Sequence, residues 1–168
     1  MNLLEAYKEI GRCHRLLAGF FNSLLASVCQ ELGTEVKTPQ QFFILEALCD
    51  VAWWESYIPK HKELKEYKRP AEKAVLQQDL ADYLDIEPPT ACATINRIDS
   101  EFIVKHTNQS GKWRAVWVEI TPYGEKLTCK IRQGINRKLR RMNLPEISAE
   151  ELRGLQAIKE SLDRRKPI

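Results

Sequence analysis

Residues 76–121 limit this chain to few folds, because two short helical patterns are followed at once by an alternating one. Leu76, Leu80, Ala81 and Leu84 recur at helical spacing through the segment Leu76 to Leu84. Asp85-Ile86-Glu87 reads as a tight turn. Pro88-Pro89 opens a second helix, whose Ala91, Ile95, Ile98 and Phe102 follow at steps of four, three and four. Ile103 to Thr107 and Trp113 to Thr121 read as strands. In the second, Val116, Val118 and Ile120 alternate with Ala115, Trp117 and Glu119. Asn108-Gln109-Ser110-Gly111-Lys112 joins the strands as a polar hairpin loop. Two short helices, a turn and a hairpin in this order describe a winged helix-turn-helix.

The flanking segments are helical and long. Leu3, Tyr7, Ile10, Leu17, Phe21, Leu24 and Val28 step by fours and threes once His14 is counted, beside a second row of Leu4, Gly11, Ala18, Leu25 and Leu32. One helix of about 30 residues, roughly 45 Å long, carries this stripe. It is too long and too apolar to serve one small core, so part of it is expected to meet a second copy in a symmetric dimer. Gly33 ends it. Thr38 as N-cap and Pro39 at the first helical position open the next helix, with Phe42, Phe43, Leu45, Leu48 and Cys49 as its apolar positions. Pro122 begins a basic helix to about Arg141, Leu144-Pro145 breaks it, and the capping box Ser148-Ala149-Glu150-Glu151 starts a last helix through Leu152, Leu155, Ile158 and Leu162.

The formal charge of +3 hides an asymmetry. Residues 76–101 hold one basic and six acidic groups, whereas residues 102–168 hold fifteen and seven. The basic half points to a polyanionic partner. Five cysteines stand at 13, 29, 49, 92 and 129 with no CxxC, and three scattered histidines add no ligand cluster. This excludes zinc and iron–sulfur frameworks, so no metal and no cofactor is expected. Unpaired cysteines fit a reducing cytoplasm. The apolar run Leu16 to Cys29 is broken by Asn22 and Ser23 and is too short to span a bilayer; Glu5 and Glu9 stand where a secretory signal needs positive charge. No Gly-rich phosphate loop, Ser–His–Asp order or paired-carboxylate motif occurs, so the chain reads as non-enzymatic.

These residues resemble the MarR family of bacterial transcription regulators, over most of the chain. Thr38-Pro39-Gln40-Gln41 is similar to the entry to the family's second helix. Leu80-Ala81-x-x-Leu84 with Glu87-Pro88-Pro89-Thr90 is similar to its helix-turn-helix, and Arg114-Ala115-Val116-x-Val118-x-Ile120-Thr121-x-x-Gly124 to its wing-to-helix signature. The chain departs from the family at Phe102, His106 and Lys112, where Gly, Arg and Asp are usual, and its stretch from Trp53 to Lys73 is longer. The resemblance implies a single mainly α domain over 1–168. Residues 1–37 and 122–168 would be dimerisation helices, around a winged helix-turn-helix at 38–121 that carries an inserted segment, 53–74. It also implies a homodimeric, cytoplasmic regulator of double-stranded DNA, expected as a repressor.

At 100° per residue the outward arc of the second helix of the motif carries Thr90, Ala93, Asn96, Arg97 and Ser100. Asn96 and Arg97 have the donors to reach base edges or phosphate in the major groove. Arg114 near the wing tip suits a narrow minor groove, and Lys112 and His106 flank it for phosphate contact. Tyr7, Ile10, Leu17, Phe21, Leu155 and Ile158 are the expected dimer interface. Cys13 falls where the peroxide-sensing branch of the family has its reactive cysteine, beside Arg12, His14 and Arg15, which favour a thiolate; Leu17 and Ser27 replace the tyrosines of that branch. A small aromatic effector wedged between dimer helices and winged helix is the expected mode of control, in preference to a thiol switch. Trp53, Trp54 and Tyr57 either pack the insertion or line that crevice. The competing reading is a protein–protein interaction module that kept the shape and lost DNA, favoured by the acidic helix-turn-helix, the missing wing aspartate and the extra aromatic and basic segment.

Overall fold

The computed structural model describes residues 3–34, 36–50, 69–110 and 113–142. Leu155, Ile158, Lys112, the aromatic cluster Trp53, Trp54 and Tyr57, and the expected last helix lie outside the described residues. In chain order the elements are α1 (Leu3–Leu32), α2 (Pro39–Leu48), β1 (Val75–Leu76), α3 (Gln77–Tyr83), α4 (Pro88–Asn96), β2 (Ile103–Ser110), β3 (Trp113–Ile120) and α5 (Pro122–Arg141). The fold is mainly α, with one small antiparallel sheet in the order β1-β3-β2. The chain divides into two compact units, Met1–Asn136 and Arg137–Ile168. Every element that positions the candidate site is in the first. Of the second, the end of α5 is described, where the Met142 amide donates back to Lys138 and Leu139.

Local chemistry explains most boundaries. α1 ends because Gly33 takes φ +61°, letting Thr34 N–H reach the Cys29 carbonyl and Gly33 N–H reach that of Gln30. The same pair of hydrogen bonds closes α3. Asp85 takes φ +51°, Ile86 N–H reaches Ala81 and Asp85 N–H reaches Asp82. Aspartate tolerates this left-handed geometry better than most side chains do, and the result is the tight turn between the two helices. α2 starts on a complete capping box. The Thr38 hydroxyl accepts from Gln41 N–H, and Gln41 Oε1 accepts from Thr38 N–H and Lys37 N–H.

The core of the first unit is built from Leu25 and Val28 of α1, Ile44, Leu45 and Leu48 of α2, Leu80 of α3, Ile95 of α4, Ile103 of β2, Val118 of β3 and Ile131 of α5, all fully buried or nearly so. The α1 stripe divides: Leu24, Leu25, Val28 and Cys29 are buried, whereas Leu16 and Leu17 remain 64% and 67% exposed. Three expectations need correction. α4 does not run on to Phe102. It stops at Asn96, with Arg97 as C-cap. The Asp99 carboxylate accepts from Glu101 N–H at 2.9 Å, and Phe102 N–H bonds back to the Asp99 carbonyl. This turn competes with the helix and still buries Ile98 and Phe102. The hairpin strands run further than expected, pairing from Ile103↔Ile120 out to Ser110↔Trp113, so Asn108 to Ser110 belong to a strand and not to a loop. Leu76 lies not in the helix but in β1, where Val75↔Val118 and Leu76↔Trp117 make a third strand. Two residues are too few to show a period.

Candidate nucleic-acid interface

The outward side of α4 is laid out by its inward side. Ala91 and Ile95 are fully buried, which leaves Thr90, Ala93 and Asn96 exposed on the opposite arc. Pro88 and Pro89 supply the first helical positions and no amide donors, and the Thr94 hydroxyl bonds back to the Thr90 carbonyl at 2.8 Å. Arg97 and Ser100 are exposed as well; Arg97 is the C-cap in αR geometry, whereas Ser100 sits beyond the helix, so its spacing from Asn96 is not helical. The end of α4 is anchored by a residue whose role sequence reasoning missed. Gln41, buried on α2, donates through Nε2 to the Arg97 carbonyl at 3.1 Å while its oxygen completes the capping box. The local signal was Gln three residues after an N-cap Thr; the link to a carbonyl 56 residues away has no sequence signature.

Asn96 is held on both sides. Its Oδ1 accepts from Lys105 Nζ of β2 at 3.1 Å, and its Nδ2 donates to Cys92 Sγ at 3.6 Å. On the wing, Arg114 of β3 pairs with Gln109 of β2, close to the tip. His106 is half-buried and its Nε2 stands 3.1 Å from Glu119 Oε2, so the structure brings it to a carboxylate of the neighbouring strand. The helix-turn-helix, the third sheet strand beside it and the wing together make one assembly.

No family model and no curated protein matches this sequence. Solved structures do match. Reduced AbfR bound to DNA superposes with a TM-score of 0.64 at 14% identity, covering 96% of this chain and 94% of that one. A cysteine-to-serine mutant of MarR from E. coli, complexed with operator DNA, gives 0.62 at 16% identity over 96% and 99%. NadR in complex with 4-hydroxyphenylacetate gives 0.57 at 17% over 94% and 92%. The fold is the MarR winged helix.

In this MarR-type fold the basic face of α5 separates into two uses. Leu127, Thr128, Ile131, Gly134 and Ile135 are buried, and Lys126 and Lys130 are exposed between them. Arg132 is committed elsewhere: it holds Glu46 of α2 through Nε at 2.9 Å to Oε1 and Nη2 at 2.6 Å to Oε2. This two-pronged pair fixes α2 against α5 and removes Arg132 from the cations open to phosphate. Beside it, Phe43, Glu46, Cys49, Asp50, Tyr83 and Arg132 border a cleft of about 530 Å³. The Tyr83 hydroxyl donates to Asp50 Oδ2 at 2.7 Å across it, which raises the phenol above its ordinary pKa.

Of the expected interface residues, Leu17 is open, whereas Phe21 is half-buried against α2, stacked on Phe43 with ring centres 5.2 Å apart. Tyr7, Ile10 and Cys13 fall on the first half of α1. Among the described residues no His, Cys, Asp and Glu group is arranged to hold a metal ion, and no helix is long and apolar enough to cross a membrane.

The other four cysteines read as packing residues in the sequence; Cys29 is buried and Cys49 and Cys92 are half-buried, whereas Cys129 is exposed and does not fit that expectation. Burial pushes the Cys49 thiol up to about 11, against a smaller lowering by its hydrogen bond with Thr128, and burial raises Cys29 too. A thiol with so little thiolate near neutral pH reacts about a hundredfold more slowly than an ordinary exposed one. At pH 8 a disulfide reagent followed by peptide mass spectrometry is therefore expected to label exposed Cys129 well ahead of Cys49 and Cys29. Labelling of Cys49 at the rate of Cys129 would contradict this account of its burial.

Proposed function

We propose that this chain is a sequence-specific regulator of transcription that binds double-stranded DNA as a homodimer and acts as a repressor in the cytoplasm. One observation carries the reading: the exposed arc Thr90, Ala93, Asn96 stands on the second helix of a helix-turn-helix, with a paired wing bearing Arg114 behind it. AbfR and MarR, which share this fold, were captured on DNA. The open Leu16, Leu17 and Phe20 on α1 support pairing with a second copy, with the helices of 1–37 and 122–168 as the dimerisation elements and Tyr7, Ile10, Leu155 and Ile158 in or beside the interface. A two-fold dimer calls for two half-sites about one helical turn apart. The cleft beside Phe43 and Tyr83, and the aromatic acid bound by NadR, support control by a small aromatic effector, with Cys13 outside the control circuit.

Binding of mixed duplex DNA measured against salt tests the reading. A DNA reader shows a steep negative slope of log affinity on log salt, with two chains per duplex by light scattering. Arg114→Ala is expected to weaken all duplexes about tenfold, whereas Asn96→Ala changes which base is preferred. The competing reading, a protein-interaction module, draws on the six acidic residues of 76–101. Absence of binding to any duplex, including DNA upstream of its own gene, would establish it over ours.

A further inference from the structure

The contact between the recognition helix and the wing has a consequence for base choice. An ammonium group only donates, so Lys105 Nζ, 3.1 Å from the Asn96 amide, requires the amide oxygen to face it. The nitrogen then faces Cys92 Sγ, which takes one of its two hydrogens. Both Asn96 and Lys105 are exposed, and among the described residues the Lys105 ammonium makes no other hydrogen bond. What this pair offers outward is one amide N–H and the remaining ammonium N–H groups. These are donors; the one acceptor left is the second lone pair of the Asn96 oxygen, which lies beside the positive charge of the ammonium.

An unrestrained asparagine reads adenine by accepting from N6 while donating to N7. With Lys105 on its oxygen, the accepting half of that pairing is opposed, because the adenine amino group would have to share the oxygen with a positively charged donor. Guanine presents two acceptors, N7 and O6, in the major groove. Thymine has one acceptor beside a methyl group, and cytosine presents a donor. We propose that Asn96 and Lys105 act as one composite donor that selects guanine, with Lys105 as the residue that determines specificity. The inference rests on the DNA-binding reading above. Lys105 was no part of the expected site, because its register on β2 opposite Val118 gives no hint that it reaches the end of α4.

Selection of the full-length chain on a randomised duplex, followed by competition binding on the selected site, tests the proposal. The parent should select guanine at a position whose preference disappears in Asn96→Ala. Lys105→Met frees the amide oxygen, so at that position adenine should gain on guanine by about tenfold, and Lys105→Arg should restore guanine. Lys105 is at the surface, so thermal melts of all three variants should match the parent. The proposal is overturned if the parent selects adenine there. It is equally overturned if Lys105→Met leaves the selected sequence unchanged, or weakens every duplex alike while lowering the salt slope by about one, which marks a phosphate contact. If the parent binds no duplex at all, the DNA-binding reading falls first and this inference with it; a parent that binds with an unchanged preference in Lys105→Met refutes this inference alone.

Discussion

Gly124→Ala is expected to destabilise the protein by about 3 kcal/mol or more, at the upper end of what overpacking costs. Gly124 is buried in the first turn of α5. A Cβ there would overlap the backbone oxygen of Phe102, and would lie 2.9 Å from Ile120 Cγ1 and 3.0 Å from the Phe102 carbonyl carbon. Backbone cannot swing aside as the end of a side chain can. The same few atoms also hold the base of the wing. The Phe102 oxygen accepts from Thr121 N–H at 2.9 Å, the Thr121 hydroxyl donates to the Glu101 carbonyl at 2.5 Å, and Gly124 N–H donates to that hydroxyl at 2.9 Å. Moving Phe102 to make room strains the Thr121 N–H bond directly and, through the adjoining Glu101 carbonyl, the Thr121 hydroxyl bond as well. For a chain of this size such a loss lowers the melting temperature by about 10 °C, a large part of the stability a domain has. Gly19→Ala is the matched control. Nothing lies within 4 Å of a Cβ at that exposed helical position, so the alanine should raise stability by roughly 0.5–1 kcal/mol. Urea unfolding of both variants decides the matter, and equal midpoints for Gly124→Ala and the parent would sink the argument.

Gly124 also shows what sequence can and cannot reveal here. The backbone that forbids a side chain at Gly124 belongs to Phe102, on another element, whereas the N-cap half of the pattern Thr121-x-x-Gly124 is legible because it is a local demand. The same holds for Gly33 closing α1, for Thr38-Pro39 opening α2 and for the alternation of β3, each of which depends on residues a few positions apart. Expectations failed where the deciding contact was distant in the chain or where a turn competed with a helix. Ile98 and Phe102 keep helical spacing, yet Asp99 turns the chain between them, so spacing alone extended α4 by six residues too many. Arg132 reads as one more cation on a basic helix until Glu46, 86 residues away, claims it. Asn96 and Ala93 were legible as outward positions from the buried steps between them. The partners that tune Asn96, and the Gln41 that anchors the end of its helix, come from other elements and leave no periodic trace.

The largest remaining effect is expected at Trp117, whose replacement by alanine should cost about 3–5 kcal/mol. The side chain is fully buried on β3, opposite Leu76 of β1. Its neighbours in that small cluster are Leu76, Ala74, Ala115 and Ala71, mostly residues too short to close over a vacated indole. The cavity would stay open, and the cost of a cavity rises with the volume that cannot collapse. Among the described residues the indole N–H has no hydrogen-bond partner, so the ring is held by packing and carries a desolvation penalty of about 1–3 kcal/mol. Trp117→Phe removes that unpaired donor together with part of the volume, and the two changes offset. It should therefore stay within about 1.5 kcal/mol of the parent, the loss of the buried donor offsetting a cavity smaller than the one alanine leaves. The order parent, phenylalanine, alanine should recur in DNA affinity, because Trp117 anchors the strand that carries Arg114 towards the wing tip. Denaturant unfolding and hydrogen exchange of the β2 and β3 amides read both effects on the same proteins. A phenylalanine variant as unstable as the alanine one would mean that the indole N–H does have a partner, and that the strand is held by that bond and not by the fit of the ring.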